Sequence, residues 1–321
     1  MISIKDLEHK LPSEALLSFQ KLFDSSIYNK MLNSFRTEKA STFRINTLKS
    51  NLSEVTELMQ KHDAKIKNFE SIKNAFYFYG RLNKIMKTEL VTGGKIYFQS
   101  LSSMLPAIVL EPCKNDNVLD IAAAPGSKTT LMASLMKNTG SITAIEPDFI
   151  RMERLKYNSE LLGVKNVSFI KGYGESFYKN NEEKFDKVLA DVPCSGEGRF
   201  NIYDRSSYGS WRQNEIKKFS SLQKKLLKSA ILSAKKGAVI VYSTCTLNVY
   251  ENEEVIDSLL NDSDFKIDVL PLNVLKNIPE KINPFLKWEN KTFSPKIVNA
   301  LRIIPSERFE GFFICKIKRI A

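Results

Sequence analysis

Histidine is nearly missing from this chain: His9 and His62 are the only two in 321 residues. Acid–base chemistry therefore falls to carboxylates, lysine, tyrosine, cysteine or water. Cysteine is sparse as well. Cys113, Cys194, Cys245 and Cys315 lie far apart, and no Cys-x-x-Cys occurs. That spacing argues against a disulfide framework, and with so little histidine no metal site is expected. No apolar run approaches the length of a membrane span, and Met1-Ile-Ser-Ile-Lys-Asp-Leu-Glu8 lacks a signal-peptide pattern. A cytoplasmic protein without a membrane role is expected. Internal repeats and low-complexity segments are absent too.

What is abundant is positive charge. Lys and Arg number 48 against 36 Asp and Glu, a net charge of +12. The first hundred residues hold 16 basic and 10 acidic side chains, half of the whole excess in under a third of the chain. Such a balance favours a polyanionic partner, nucleic acid above all, docked on the N-terminal region. The plainer alternative is a basic protein with solvated lysine faces. At 43% apolar content and this length, the chain can bury a full core and is expected to hold one large and one smaller domain.

Residues 12–35 read as two short helices, opened by Pro12-Ser13 and striped by Leu16, Leu17, Phe19, Leu22 and Phe23. Thr42–Asn46, Lys65–Phe69, Ala75–Tyr79 and Lys95–Phe98 read as strands, with a helix capped by Ser53 running to Gln60. Residues 1–98 are therefore expected to form a small α+β domain. Its Arg44, Lys65, Lys67, Tyr77, Tyr79 and Arg81 could grip RNA by charge and stacking, although aromatics in such strands more often fill a core. From residue 99 the pattern changes. Leu101–Leu110 reads as a helix bent or broken at Pro106. Strands (117–121, 141–146, 167–170, 186–192, 239–242) then alternate with helices (128–137, 149–162, 213–235, 250–260). Gly237 is expected to end the long third helix, 261–297 to be irregular, and Leu301–Ile304 with Phe312–Ile317 to pair antiparallel at a sheet edge. The βαβ succession predicts an α/β fold, a doubly wound Rossmann-like sheet over residues 99–321.

Two stretches carry chemistry. Asp120-Ile-Ala-Ala-Ala-Pro-Gly-Ser-Lys-Thr129 joins the first strand of that sheet to its helix. Small residues there let a ligand approach backbone, and the helix start offers free N–H groups. A P-loop is excluded because Ser127 separates Gly126 from Lys128 and no glycine occupies the first position; Gly-x-Gly-x-x-Gly is missing as well. S-adenosylmethionine remains, with Glu146 at the end of the second strand placed to chelate ribose hydroxyls. This loop and Glu146 make a fold of S-adenosylmethionine-dependent methyltransferase type the expectation.

The second stretch is a pair of strand ends. Lys187-Val-Leu-Ala-Asp191-Val-Pro-Cys194-Ser-Gly and Ala238-Val-Ile-Val-Tyr-Ser-Thr-Cys245-Thr246 each run from buried strand into a polar loop. Ligands of parallel sheets sit outside the carboxyl ends of the strands, so both thiols are expected at a cleft. Asp-x-Pro at such an end usually lines the acceptor-base site. Pyrimidine C5 is a poor nucleophile. A thiolate that adds at C6 makes C5 enamine-like and able to take a methyl group from a sulfonium. Asp191 suits the hydrogen bond to the base at N3 or N4. By residue type and position alone, Cys194 and Cys245 are equal candidates for the attacking thiol.

Thr42-Phe-Arg-Ile-Asn-Thr-Leu-Lys49, Gln99–Pro106, Asp120–Thr129, Asp191–Gly198, Tyr242–Thr246 with Glu251-Asn-Glu253, and Glu310-Gly-Phe-Phe313 together resemble the Sun/Nop-type RNA cytosine-C5 methyltransferases. They follow that family's order over residues 42–313 and are most similar to its bacterial small-subunit rRNA methyltransferase F branch. The resemblance implies Cys245 as nucleophile and Cys194 as the thiol that helps release product. It implies Ala122, Ala123, Ala124, Pro125, Gly126, Ser127, Lys128, Glu146 and Asp191 around S-adenosylmethionine, with Lys128 and Asp191 also reaching the cytosine. Arg44 and Asn46 would lie near the substrate. Where the family usually places an adenine-side Asp this chain has Tyr173, so the contact falls to Tyr173 or Glu175. The expected enzyme methylates structured RNA, rRNA first and tRNA second, and is expected to be a monomer. The competing reading is a non-catalytic RNA-binding or ribosome-assembly factor on the same fold.

Overall fold

The apolar runs ending at Asp120, Glu146, Lys171, Asp191 and Thr244 lie side by side in one sheet, with their polar ends along one edge. The computed structural model describes residues 4–321. Three helices come first: α1 (Ile4–Lys10), α2 (Ser13–Leu22) and α3 (Ser25–Phe35). Next is an antiparallel sheet of β1 (Thr42–Ile45), β2 (Lys65–Asn68), β3 (Ala75–Tyr79) and β4 (Ile96–Phe98), in the order β2-β3-β1-β4. It is interrupted by α4 (Leu52–Lys61), α5 (Leu82–Ile85) and α6 (Glu89–Thr92). After α7 (Leu101–Leu110) the units alternate as β5 (Asn117–Asp120), α8 (Ser127–Leu135), β6 (Ser141–Glu146), α9 (Phe149–Leu161), β7 (Val167–Lys171), β8 (Phe185–Asp191), α10 (Gln213–Ser233), β9 (Ala234–Thr244) and α11 (Glu253–Leu260). The end of the chain adds β10 (Ile267–Leu270), the two-residue strands β11 (Lys281–Ile282), β12 (Lys287–Trp288) and β13 (Lys291–Thr292), then β14 (Leu301–Ile303) and β15 (Phe312–Arg319).

The large sheet has nine strands in the order β11-β14-β15-β9-β8-β5-β6-β7, with β10 also on β15. Strands β5 to β9 are parallel. Their near-continuous apolar residues are buried by helices on both faces, as a parallel sheet requires. The expected Rossmann-like sheet is thus present, and several local expectations change. Asn51, not Ser53, caps α4, accepting from the Glu54 N–H at 3.1 Å. Leu101–Leu110 remains one helix through Pro106. Helix α10 stops at Ser233, before Gly237. Lys235–Ala238 bulge between Ala234, opposite Phe185, and Val239, opposite Lys187, and Gly237 turns the bulge at φ +81°. Residues 261–297 are less irregular than expected, because β10 adds onto β15. Strands β14 and β15 do pair antiparallel, but β15 is no edge: it runs along β9 from Phe313↔Thr244 to Lys318↔Val239.

Helices α1–α3 share a hydrophobic cluster with the large sheet, where Phe19, Phe35 and Phe200 meet ring to ring. The four-stranded sheet keeps its own cluster around Phe43, Phe76 and Phe98. Two polar side chains on or just after β1 tie the layers. Arg44 donates to Gln99 Oε1 (2.9 Å) and Thr130 Oγ1 (2.8 Å), and Asn46 donates to the Gly94 and Leu162 carbonyls. Both are buried, so they act on packing between layers.

A buried ion pair lies next to the Cys245 loop. Arg302 of β14 grips Glu253, the first residue of α11, through Nε–Oε1 (2.6 Å) and Nη2–Oε2, and donates to the Leu247 carbonyl at 2.7 Å. Its guanidinium is stacked on Phe285, 4.7 Å from the ring centre. Removing one partner strands a buried charge, which costs about 3–5 kcal/mol. Glu253→Gln should lose stability on that order in urea unfolding; a loss under about 1 kcal/mol would mean that this pair does not anchor the loop.

Candidate active site

Strands β8 and β9 pair in parallel with Asp191 opposite Ser243, so the chain segments leaving them emerge together. Ser243 Oγ donates to Asp191 Oδ1 (2.7 Å), and the Gly198 N–H donates to the Cys245 carbonyl (2.9 Å). The Cys194 and Cys245 sulfurs lie 3.3 Å apart. Both face a cleft of about 720 Å³ walled by Lys128, Asp191, Ser103, Arg199, Glu310 and Phe312, among others. Neither thiol is in the core, as their strand-end positions predict. Cys113 is exposed on a distant turn, and burial pushes the Cys315 thiol of β15 far up.

Lys128, on the first turn of α8, reaches across the cleft floor to Asp191. Its Nζ is 2.6 Å from Asp191 Oδ2 and donates to Ser103 Oγ at 3.0 Å. Burial works against the ammonium, but Asp191 beside it outweighs this and raises Lys128 above the ordinary lysine range. Asp191 thus has one oxygen on a cation and the other on a hydroxyl. At the thiols, the hydrogen bond to Cys245, together with burial, pushes Cys194 well above the ordinary thiol range. The two thiols are in hydrogen-bonding contact, and either sulfur can be the donor. Arg199 stands at the cleft mouth, its Nε 3.9 Å from Glu310 Oε1. Burial opposes the charge of Arg199, but Cys245 and Glu310 nearby raise its pKa overall.

Of the residues expected around S-adenosylmethionine, Ala122, Ala124, Pro125, Ser127 and Lys128 line this same cleft. Ala123 is buried, its N–H bonded to the Ile145 carbonyl. Gly126 turns at φ +99°, and a Cβ there would meet Leu155 Cδ1 at 2.8 Å, so this glycine seats the loop on α9. Glu146 ends β6 as expected but is only 1% exposed. Its Oε1 accepts from the Asp148 N–H and lies 3.5 Å from Arg151 Nη1; Arg151 also donates to the Ala124 carbonyl. The small side chains and open backbone of the loop fit a flat, close-lying ligand. Glu146 stands at the strand end beside that loop, covered by Arg151. Tyr173 is exposed, next to Gly174, which packs on the Ile121 carbonyl beside this loop.

Sequence reasoning gave no role to the residues beneath the two thiols. The buried Glu197, Thr246 and Glu251 form a hydrogen-bonded row there with Ser195, which is half-buried at the cleft wall. Glu251 lay inside a recognised motif, but its partner Ser195 is 56 positions away, which no local pattern signals.

A Rossmann-type sheet with a small-residue loop and a polar cleft beyond its strand ends defines the class of methyltransferases, and solved structures agree. A methyltransferase homolog from Pyrococcus horikoshii superposes with a TM-score of 0.78 at 30% identity, covering 96% of this chain and 99% of that one. NSun6 from the same organism, with SFG, gives 0.81 over 98% and 100% at 22% identity, which shows the fold alone. The chain belongs to the 16S rRNA methyltransferase RsmB/F family, whose model matches residues 107–318. That family consists of S-adenosylmethionine-dependent RNA cytosine-C5 methyltransferases, so the resemblance seen in the sequence holds. Among curated relatives, a tRNA (cytosine(49)-C(5))-methyltransferase of Pyrococcus abyssi is 35% identical over 87% of this chain and 88% of its own length. Ribosomal RNA small subunit methyltransferase F of Erwinia tasmaniensis is 30% identical over 94% and 62%, and the mouse 28S rRNA (cytosine-C(5))-methyltransferase 30% over 95% and 38%. The chain thus spans nearly all of the archaeal enzyme but a smaller part of the other two. No helix among the described residues is long and apolar enough to cross a membrane.

The cleft depends on one backbone crossing. Gly198 and Gly311 touch, the Gly311 N–H donating to the Gly198 carbonyl at 2.8 Å, and a Cβ on Gly198 would lie 2.2 Å from Gly311 O. Gly196 has φ +76° with nothing near its missing Cβ. Gly198→Ala should therefore cost about 3 kcal/mol and Gly196→Ala about 1 kcal/mol in urea unfolding. Equal losses would contradict a crossing held by contact.

Proposed function

We propose that this chain transfers a methyl group from S-adenosylmethionine to C5 of a cytosine in structured RNA, rRNA first and tRNA second, through a covalent Cys245–C6 adduct. The observation that carries the reading is the pair of thiols at 3.3 Å, in one cleft with the Lys128–Asp191 pair. S-adenosylmethionine supplies the electrophilic methyl group. Ala122–Lys128 would hold it by close backbone approach and Glu146 by its ribose, while the exposed Tyr173 ring offers a face for the adenine.

Each protein group has a definite task. The Lys128–Asp191 pair offers a donor and an acceptor to N3 and the N4 amino group, fixing the ring and drawing electrons from C6. The Cys245 sulfur forms a bond to C6, and the C5=C6 π pair moves onto C5, which then takes the methyl group. When the C5 proton leaves to water, the double bond reforms and the C6–S bond breaks, its electron pair returning to sulfur. Cys194, 3.3 Å away, would donate its S–H to that departing thiolate. The order, Cys245 attacking and Cys194 aiding release, is carried over from the family resemblance. Residues 1–98, with half the excess positive charge, are proposed to dock the RNA.

Cys245→Ala should reduce methyl transfer by about 10⁴-fold while S-adenosylmethionine still binds in calorimetry; full activity would end the assignment. Cys194→Ala should accumulate an RNA–protein adduct, visible as a slow band on a denaturing gel, and its absence would end the release role. Glu146→Ala should weaken S-adenosylmethionine binding in the same titration by about tenfold or more. A wild-type chain that binds no S-adenosylmethionine would favour the non-catalytic RNA-binding alternative.

A further inference from the structure

Under the two thiols, Glu197 and Glu251 are both fully buried. Among the described residues, neither carboxyl has a lysine or arginine partner; Glu197 accepts from the Trp211 indole N–H (3.2 Å) and Glu251 from the Ser195 N–H (3.0 Å) and Gln223 (2.9 Å). Between them stand the hydroxyls of Thr246 and Ser195. The contacts run Glu197 Oε2–Thr246 Oγ1 (3.2 Å), Thr246 Oγ1–Ser195 Oγ (2.8 Å) and Ser195 Oγ–Glu251 Oε1. Ser195 follows Cys194 in sequence, and Thr246 follows Cys245.

The protons do not suffice if both acids are ionised. Three oxygen–oxygen contacts share two hydroxyl hydrogens, so one contact would set lone pair against lone pair, with two buried carboxylates and no cation beside them among the described residues. One further proton satisfies all three: Glu197 donates to Thr246, Thr246 to Ser195, and Ser195 to Glu251. Thr246 also accepts from the Asn248 N–H (3.2 Å), which its remaining lone pair allows. Both carboxyls have N–H donors, the Ser195 backbone and Gln223 for Glu251 and the Trp211 and Asn248 side chains for Glu197, so the single charge rests on the pair.

We propose that Glu197 and Glu251 are a carboxyl pair holding one proton, and that this proton completes a chain of hydrogen bonds locking the Cys194 and Cys245 loops in register. Both act as positioning residues, since neither lines the cleft; their link to catalysis rests on the cysteine reading above. Burial first, and Glu251 second, push Glu197 up to about 7, and burial raises Glu251 as well. The titratable groups facing the pair are Cys194 and Tyr242, whose hydroxyl donates to the Glu251 carbonyl at 2.6 Å. From α10 comes only the neutral Gln223 and from the preceding loop Trp211.

The sign follows from Glu197 binding its proton more tightly when folded than unfolded. The stabilisation is complete below the ordinary glutamate range and is lost as pH rises through about 7. Glu197→Gln, which carries its hydrogens at every pH, removes that dependence. Melting temperatures of wild type and Glu197→Gln should therefore diverge between pH 5 and 9 (about the range in which a near-neutral group titrates), the wild type falling relative to the variant. Infrared difference spectra of the free protein should show a neutral carboxylic acid that titrates near neutrality and vanishes in Glu197→Gln. In methylation assays the alkaline limb of kcat should move upward in Glu197→Gln, while Glu197→Ala lowers kcat about a hundredfold at every pH with KM for RNA little changed. Parallel melting curves, or no titrating acid band, would overturn the shared proton. A correct band and melting pattern with unmoved kcat would overturn the link to the thiols. A wild-type protein without methyl transfer, but with that band, would instead count against the function reading while leaving the pair in place.

Discussion

The site depends on the register in which two parallel strands meet. Asp191 of β8 lies opposite Ser243 of β9, and each chain leaves the sheet within three residues of that pair. Shifting the register by one residue would turn every side chain to the other face and separate the thiols. In the observed register the first bond is Ser243 to Asp191, the next the 3.3 Å approach of the sulfurs, and the last the Gly198 N–H on the Cys245 carbonyl. Two thiols from distant stretches are thus brought together by backbone pairing, before any side chain chooses a rotamer.

The antiparallel strands at the end of the chain support this pair from outside. Strand β15 lies along β9 and brings Phe312 to the cleft wall and Gly311 against Gly198. Arg302 on β14 holds Glu253 and, through the Leu247 carbonyl, the segment following Cys245. From the other side α8 contributes Lys128, and Arg44 braces that helix by bonding Thr130. A cation over Phe312, 5.9 Å from its ring centre, shares its charge with Asp191. The cleft is therefore closely braced around Lys128 and Asp191 and more open toward Arg199, which is exposed at the mouth.

Much of this was legible in the residues. Apolar runs ending in Asp120, Glu146, Asp191 and Thr244 give the parallel strands because burial on both faces leaves no polar alternation. The small residues of Ala122–Ser127 mark a close backbone approach. What stayed hidden depends on partners far apart in sequence. Gly237 looks like a helix stop, yet Ala234 is already taken up by pairing with Phe185, so the glycine turns a bulge instead. Ile267–Leu270 is too short to announce itself without β15 to pair with. Glu197 lies in a polar Gly-rich loop with no apolar pattern to signal burial, and the fold buries it beside Glu251. Glu146 was foreseen at the strand end, but not the Arg151 that covers it. The ranking of the thiols needed the resemblance, since both stand at neighbouring strand ends in one cleft.

The central claim is that Cys245 bonds to cytosine C6 while Cys194 remains free. RNA carrying 5-fluorocytidine tests it on the unaltered protein, since fluorine at C5 leaves no proton to lose and the methylated adduct cannot collapse. Incubation with S-adenosylmethionine, digestion and peptide mass spectrometry should place the nucleotide on the peptide containing Cys245. An adduct on Cys194, or methyl transfer to ordinary RNA with no adduct on either cysteine, would contradict the account.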